Sequence, residues 1–162
     1  MKKRLTLIQM DVHVNDVEYN YNRVQELLTQ SLSESPDIIV LPETWNTGFY
    51  PSTDLINIAD NNGDRTKALL SAFAKEHNVN IVGGSVAVAK DNLVFNTSYV
   101  YNRNGELVGE YSKMHGFSPA KEDKYFASGT HTTHFELDRI PCSTVICYDI
   151  RFPELVRMAA LP

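Results

Sequence analysis

The sequence contains 162 residues, of which 15 are Lys or Arg and 20 are Asp or Glu, so the formal net charge is −5. This acidic balance excludes nucleic-acid binding driven by overall charge, because no basic excess exists to displace counterions. Hydrophobic residues make up 43% of the chain and charged residues 22%, which is ordinary for a globular protein and argues against disorder. The length predicts a single domain over residues 1–162, and no apolar run approaches the roughly 20 residues of a membrane-spanning helix.

The cysteines and the N-terminus predict a cytoplasmic protein. Cys142 and Cys147 are five residues apart in an apparent strand, about 16 Å when extended, whereas disulfide-bonded residues have Cα atoms within about 7 Å of each other. We therefore expect two free thiols, which suit a reducing compartment. The apolar stretch behind the basic N-terminus breaks at Gln9 and Asp11, too early for a signal peptide.

The first part of the chain predicts strands alternating with helices. A strand over 5–8 is followed by a helix that Asn15 or Asp16 can cap and that Pro36 stops. The apolar stripe of this helix has helical spacing and consists of Val17, Tyr21, Val24, Leu28 and Leu32. Residues 37–41 are apolar on both faces, which is typical of a buried strand, and Pro42 ends that strand just before Glu43.

Glycine, proline and apolar spacing define the later elements. They are a helix over 64–77, a strand over 81–88, a hairpin of strands over 96–101 and 106–112, a loop over 116–134, a strand over 143–146 and a helix over 153–160. The first of these helices is expected to turn four residues inward: Ala68, Leu69, Ala72 and Phe73. Asn104–Gly105 predicts the hairpin turn, and Gly83–Gly84 permits a bulge or a close backbone approach. The pattern predicts an α/β protein with a mixed sheet.

Three residues could carry chemistry. Cys147 lies between a predicted strand and a predicted helix, where free N–H groups are expected to lower the thiol pKa and to hold an oxyanion. Glu43 lies beyond the carboxyl end of a strand, where ligands collect in α/β sheets. Lys113 follows the second hairpin strand. Taken singly, each also has an ordinary interpretation: a buried cysteine, a solvated glutamate and a surface lysine.

A metal site is a weaker interpretation. His131 and His134 have a spacing that would place both rings on one side of a helix, but this stretch is rich in threonine and typical of a loop. Neither His13 nor His77 supplies a clear third ligand, and the cysteines lack a metal-binding spacing. We therefore predict no metal, although a metal-dependent hydrolase built on His131 and His134 remains a distant alternative.

Three segments together resemble a known family. They read Leu-Pro-Glu-Thr-Trp at 41–45 with Gly-Phe at 48–49, Tyr-Ser-Lys-Met-His at 111–115, and Ile-Cys-Tyr-Asp-Ile-Arg-Phe-Pro-Glu-Leu at 146–155. Their order of glutamate, lysine and cysteine resembles the carbon–nitrogen hydrolase (nitrilase) superfamily, and residues 45–49 look closer to its ω-amidase-like branch. Supporting matches are Asp16, Asn20, Asn96 and Thr97. The resemblance spans essentially the whole chain.

The resemblance implies a role for five residues. Cys147 would be the nucleophile, Glu43 the general base and then acid, and Lys113 the cation that stabilises the oxyanion. Glu122 would position the lysine or the substrate, and the N–H of Tyr148 would complete the oxyanion hole. The implied reaction hydrolyses the amide bond of a small non-peptide substrate through a cysteine thioester, releasing ammonia and a carboxylic acid without a metal or an organic cofactor.

The resemblance also implies a fold and a partner. The family has an αββα sandwich with mixed sheets, which usually forms a homodimer, and the matching portion here ends soon after Cys147. We therefore expect a partial domain that lacks the C-terminal part of the sandwich. Alongside an amidase, this leaves open a catalytically inactive fragment or an interaction module of the same fold.

Overall fold

A mixed β-sheet is the central element of the structure, a computed structural model that describes residues 2–49 and 54–161. The strands are β1 (Leu5–Leu7), β2 (Ile38–Val40), β3 (Asp60–Asn61), β4 (Asn80–Val82), β5 (Val86–Lys90), β6 (Leu93–Tyr101), β7 (Leu107–Ser112), β8 (His134–Leu137) and β9 (Ile140–Ser143). The helices are α1 (Val17–Ser31), α2 (Leu55–Ile58), α3 (Asp64–His77) and α4 (Pro153–Ala160).

Seven strands form the main sheet. Its order is β1-β2-β4-β6-β5-β3, and β7 pairs with the free side of β6. β1, β2 and β4 are parallel to one another, whereas β4, β5 and β7 all run antiparallel to β6. The mixed sheet predicted from the sequence is therefore confirmed. β8 and β9 form a separate antiparallel pair.

Helix α1 confirms the prediction from its apolar stripe. The Asp16 side chain caps it by accepting a hydrogen bond from the Tyr19 N–H at 3.1 Å. Tyr21, Val24 and Leu28 are buried in the main hydrophobic core, which also contains residues of α3 and of the sheet. These contacts place α1 and α3 over the same face of the sheet.

Helix α3 has the predicted bounds, but the predicted inward face is partly wrong. Phe73 is buried, whereas Ala68 and Ala72 are exposed, and the other buried residues of the helix are Thr66, Leu70 and Ala74. The cause is polar. The Thr66 hydroxyl lies 2.7 Å from the Tyr21 hydroxyl inside the protein, so the buried stripe passes through position 66.

The strand predicted over 81–88 is two strands, β4 and β5, with a break at Gly83–Ser85. Gly84 has φ +59°, and a Cβ atom on it would lie 2.0 Å from the Pro42 carbonyl oxygen. The predicted close backbone approach is therefore real, and only glycine permits it. The Ser85 N–H donates to the same Pro42 oxygen at 3.0 Å, so the break is where the segment before Glu43 docks.

The second half of the chain mostly follows the prediction. β6 and β7 form the expected hairpin, and Gly105 in its turn has φ +77°. The strand predicted over 143–146 is wrong beyond Ser143, because β9 pairs only with β8 and that ladder ends at the pair His134–Ser143. Helix α4 has the predicted bounds. Among the helices of residues 2–49 and 54–161, none combines the length and apolar character needed to cross a membrane.

Candidate active site

Glu43 is placed by the turn that follows β2. The Leu41 N–H donates to the Val82 carbonyl at 3.0 Å, and the Thr44 N–H donates to the Ser85 hydroxyl oxygen at 3.0 Å. Trp45 is fully buried, and its indole N–H donates to the Gly83 carbonyl at 2.9 Å. The backbone on both sides of Glu43 is therefore fixed to the break between β4 and β5, at the carboxyl end of the parallel strands.

Lys113 follows β7, and its ammonium group is enclosed by two carboxylates. Nζ donates to Glu43 Oε1 at 2.8 Å and to Glu122 Oε1 and Oε2 at 2.9 and 2.7 Å. The side chains of Lys113 and Glu122 are each 2% exposed, and that of Glu43 is 21% exposed. The structure thus brings these three predicted site residues into direct contact, with only Glu43 partly open to solvent.

Glu122 and Glu43 are also held by neutral donors. Glu122 begins a 3₁₀ helix (Glu122–Lys124), and its Oε2 accepts the Phe117 N–H at 2.8 Å. The Asn96 side-chain NH₂ donates to Glu43 Oε1 at 3.0 Å and to Glu122 Oε1 at 3.1 Å. Asn96 is therefore a site residue, although its sequence pattern indicated only a supporting match to the family. Its signal is a buried polar residue in a strand where apolar residues are expected.

This cluster contains one cation, Lys113, and two carboxyl groups, those of Glu43 and Glu122. Burial by itself would lower the pKa of Lys113, but the hydrogen bonds and charges of Glu122 and Glu43 outweigh it, so the pKa is raised. Lys113 therefore stays an ammonium ion at neutral pH. It supplies a fixed positive charge in a site from which most water is excluded.

Cys147 begins a 3₁₀ helix (Cys147–Arg151) and is exposed. Its φ of +48° is strained for a residue with a side chain, which is a feature found at functional turns. The first hydrogen bond of this turn runs from the Asp149 N–H to the Ile146 carbonyl at 3.1 Å. The N–H of Tyr148 lies one residue earlier, so the turn does not use it and it can serve as an oxyanion donor.

The prediction of a lowered thiol pKa is wrong. Cys147 is exposed as a residue, but its thiol is partly enclosed by protein atoms. This partial burial raises the pKa of Cys147, the carboxylate of Glu43 raises it further, and Lys113 only partly opposes these effects. The physical reason is that the thiol faces a carboxylate and is followed by a single 3₁₀ turn, whose dipole is much weaker than that of a long helix. Cys147 therefore rests as a thiol whose proton Glu43 is placed to accept.

The remaining candidates lie elsewhere. Cys142 and Cys147 are both free, as predicted, and Cys142 is a partly buried residue of β9. His131 lines a cavity of about 560 Å³ on the opposite face of β6 and β7 from Lys113, and His134 is exposed on β8. Within the described part of the chain, no three His, Cys, Asp or Glu side chains are grouped as metal ligands.

This arrangement suits attack on a carbonyl group. It combines a nucleophile, a carboxylate that can take its proton, a fixed ammonium ion and a free backbone N–H. The structure brings Lys113 into contact with Glu43 and places both close enough to the Cys147 thiol to influence its pKa. Their individual catalytic roles stay predictions.

The chain matches the family model described as carbon-nitrogen hydrolase over residues 4–162. A 2-oxoglutaramate amidase of Bacillus subtilis (strain 168) is 39% identical over 157 residues, which cover 97% of this chain and 60% of that protein. A chloroplastic omega-amidase of Arabidopsis thaliana is 30% identical over 172 residues, covering 98% of this chain and 46% of that protein. The chain thus spans about 60% or less of the length of these relatives.

A solved structure shares the fold. A CN-hydrolase superfamily protein from Xanthomonas campestris, described with an arsenic adduct in its active site, has a TM-score of 0.83 and 29% sequence identity. The similarity covers 94% of this chain and 56% of that one. It confirms the predicted nitrilase-like α/β sandwich fold.

Proposed function

Because the chain belongs to the carbon-nitrogen hydrolase family, we propose that it hydrolyses the amide bond of a small non-peptide substrate through a thioester on Cys147. The observation that carries this proposal is the contact of Lys113 with both Glu43 and Glu122, beside a thiol whose pKa Glu43 and Lys113 both influence. The named activity of the Bacillus subtilis relative supports a small ω-amide such as 2-oxoglutaramate as the substrate.

The first half of the reaction forms the thioester. Glu43 takes the proton of the Cys147 thiol as sulfur attacks the carbonyl carbon, and the π electrons of the carbonyl move to its oxygen. Lys113 and the Tyr148 N–H stabilise that negative oxygen, an interaction in which one donor is typically worth a factor of about 10²–10³ in rate. When the oxyanion collapses, the carbon–nitrogen bond breaks, Glu43 returns its proton to nitrogen, and ammonia leaves.

The second half releases the acid. Glu43 takes a proton from water as the water oxygen attacks the thioester carbon, and the same donors stabilise the second oxyanion. The carbon–sulfur bond then breaks, and the proton returns from Glu43 to sulfur. The products are a carboxylic acid and the original thiol. Glu122 touches neither reacting atom in this scheme, because it holds the Lys113 ammonium from the buried side.

Ammonia release by the purified 162-residue chain tests this proposal. The substrates are 2-oxoglutaramate and the simple aliphatic amide butyramide, and the matched variants are Cys147→Ala and Cys142→Ala. We expect Cys147→Ala to abolish ammonia release with an unchanged far-UV circular dichroism spectrum, and Cys142→Ala to retain it. Activity that survives Cys147→Ala would rule out the cysteine mechanism, and activity lost only to a chelator would favour the metal alternative.

The same measurement decides the non-catalytic alternative. A chain that is folded by circular dichroism but releases no ammonia from either amide would favour an inactive fragment or interaction module of this fold. We also propose a homodimer, as the resemblance to the family implies, and a reducing, cytoplasmic location, which two free thiols suit.

A further inference from the structure

Another buried carboxylate, Asp149, lies between the segments that carry Lys113 and Cys147. Asp149 is fully buried and makes four polar contacts. Its Oδ1 accepts the His115 N–H at 2.9 Å and lies 2.9 Å from the His115 ring Nδ1. Its Oδ2 accepts the Tyr111 hydroxyl at 2.7 Å and the Ile146 N–H at 3.1 Å. Each oxygen therefore meets one backbone N–H and one side chain.

These contacts connect the two segments that carry the reactive groups. Tyr111 and His115 stand two residues before and two residues after Lys113. Ile146 immediately precedes Cys147, and Asp149 follows Cys147 by two residues. One carboxylate thus ties the strand end that bears the cation to the strained turn that bears the thiol.

Packed aromatic rings also connect the segment that bears Lys113 with the turn that bears Cys147. The His115 ring stacks on Phe152 with centroids 3.6 Å apart and an interplanar angle of 11°. The Tyr148 ring packs edge-on against Phe152 with ring centroids 5.5 Å apart, and the centroids of Phe117 and Tyr148 are 5.1 Å apart. The Cys147 turn is therefore held both by the Asp149 carboxylate and by packed aromatic rings. Such support is expected, because a strained positive φ persists only where surrounding contacts hold it.

We propose that Asp149 is a positioning residue that fixes the Cys147 thiol relative to Lys113 by clamping residues 146–149 to the end of β7. The catalytic effect of this clamp rests on the proposed function, whereas the hydrogen bonds that form the clamp do not depend on it. A carboxylate is required for a simple reason: both of its oxygens face a backbone N–H, and a backbone N–H can only donate. An asparagine at this position must turn its NH₂ group toward one of them, so either the His115 N–H or the Ile146 N–H loses its acceptor.

The test compares Asp149→Asn with Tyr111→Phe and with the exposed-site control Asp11→Asn. Each is made in a Cys142→Ser background, where Cys147 is the remaining thiol of the chain. Steady-state ammonia release gives kcat and KM, and the rate of alkylation by iodoacetamide against pH gives the titration midpoint of Cys147. Urea unfolding gives the stability of each variant separately, and all kinetics are measured where each variant is folded.

For Asp149→Asn we expect kcat to fall about 100-fold with KM nearly unchanged, as for a misplacement of about 1 Å. The alkylation midpoint should fall, because a released thiol leaves the burial and the Glu43 carboxylate that raise its pKa. The other charges facing the thiol, Lys113 and Glu122, lower and raise it respectively. Tyr111→Phe removes the hydroxyl that donates to Asp149 but leaves the His115 and Ile146 N–H groups with their acceptor, so we expect a kcat loss of about fivefold. Asp11→Asn should change neither readout.

A merely structural Asp149 gives a different result. Asp149→Asn would then lower stability while kcat and the alkylation midpoint stay at wild-type values, and the proposal would be overturned. If Asp149→Asn does not fold, Tyr111→Phe decides, and an unchanged kcat with an unchanged midpoint overturns the clamp. If the parent chain releases no ammonia, the proposed function fails while the alkylation midpoints still decide the clamp.

Discussion

The two halves of the candidate site are built in opposite ways. The charged half is formed by Glu43 and Lys113, which follow sheet strands, and by Glu122, which begins a 3₁₀ helix. It is largely buried and gives every charge several partners. The nucleophile half, formed by Cys147, lies outside the sheet on an exposed and strained turn. The groups that stabilise charge are therefore fixed before substrate binds, whereas the group that must meet the substrate stays open to it.

This contrast predicts that the charged half supports the fold and the nucleophile half does not. Lys113→Met should have the largest effect on stability, because it leaves two carboxylates side by side with no cation between them. Removing one partner of a buried ion pair costs about 3–5 kcal/mol. Urea unfolding followed by circular dichroism measures this loss in the free energy of unfolding.

Cys147→Ala is the matched comparison for that experiment. Its side chain is exposed, so we expect the free energy of unfolding to change by less than about 0.5 kcal/mol, or to rise as Ala accommodates the turn no worse than Cys. Equal losses of stability in Lys113→Met and Cys147→Ala would break the distinction between the two halves.

A smaller effect, on the pKa of Cys147, tests the electrostatic interaction between the two halves of the site. Glu43→Gln removes a charge that raises the pKa of Cys147 and leaves Lys113, which lowers it. We therefore expect the midpoint of the alkylation rate against pH to move to lower pH in the Cys142→Ser background. Ammonia release should be lost at the same time, because glutamine cannot accept the thiol proton. A midpoint that stays in place or rises would mean that Glu43 does not act on the thiol.

The sequence predicted the positions of Glu43 and Lys113 on their elements, but not their contacts, and it placed Cys147 after a strand that in fact ends at Ser143. Pro42 marked the end of β2 and so placed Glu43 at the carboxyl edge of the sheet, and the Asn104–Gly105 turn fixed the hairpin that carries Lys113. Glu43 and Lys113 are 70 residues apart in sequence, and a separation of that size carries no geometric information. Before the structure was known, only the resemblance to the family predicted that Glu43 and Lys113 lie in one site.

The parts that the sequence analysis missed depend on tertiary surroundings. The thiol pKa was predicted from the local turn, whereas burial and Glu43, which is distant in sequence, decide it. Asn96 and Asp149 are short polar residues whose importance comes from partners such as Tyr111, 38 residues from Asp149. The break between β4 and β5 is likewise set by the Pro42 segment that docks there, whereas Gly83–Gly84 by itself is equally compatible with a bulge inside one strand.

The most direct test of the central claim is the mass of the intact chain quenched with acid during turnover of 2-oxoglutaramate. A cysteine thioester predicts a covalent adduct whose mass equals that of the substrate less ammonia, located on Cys147 by fragmentation and absent from Cys147→Ala. Ammonia release without any adduct on Cys147, under conditions where the substrate is being consumed and hydrolysis of the thioester is slowed at low temperature, would contradict a cysteine thioester.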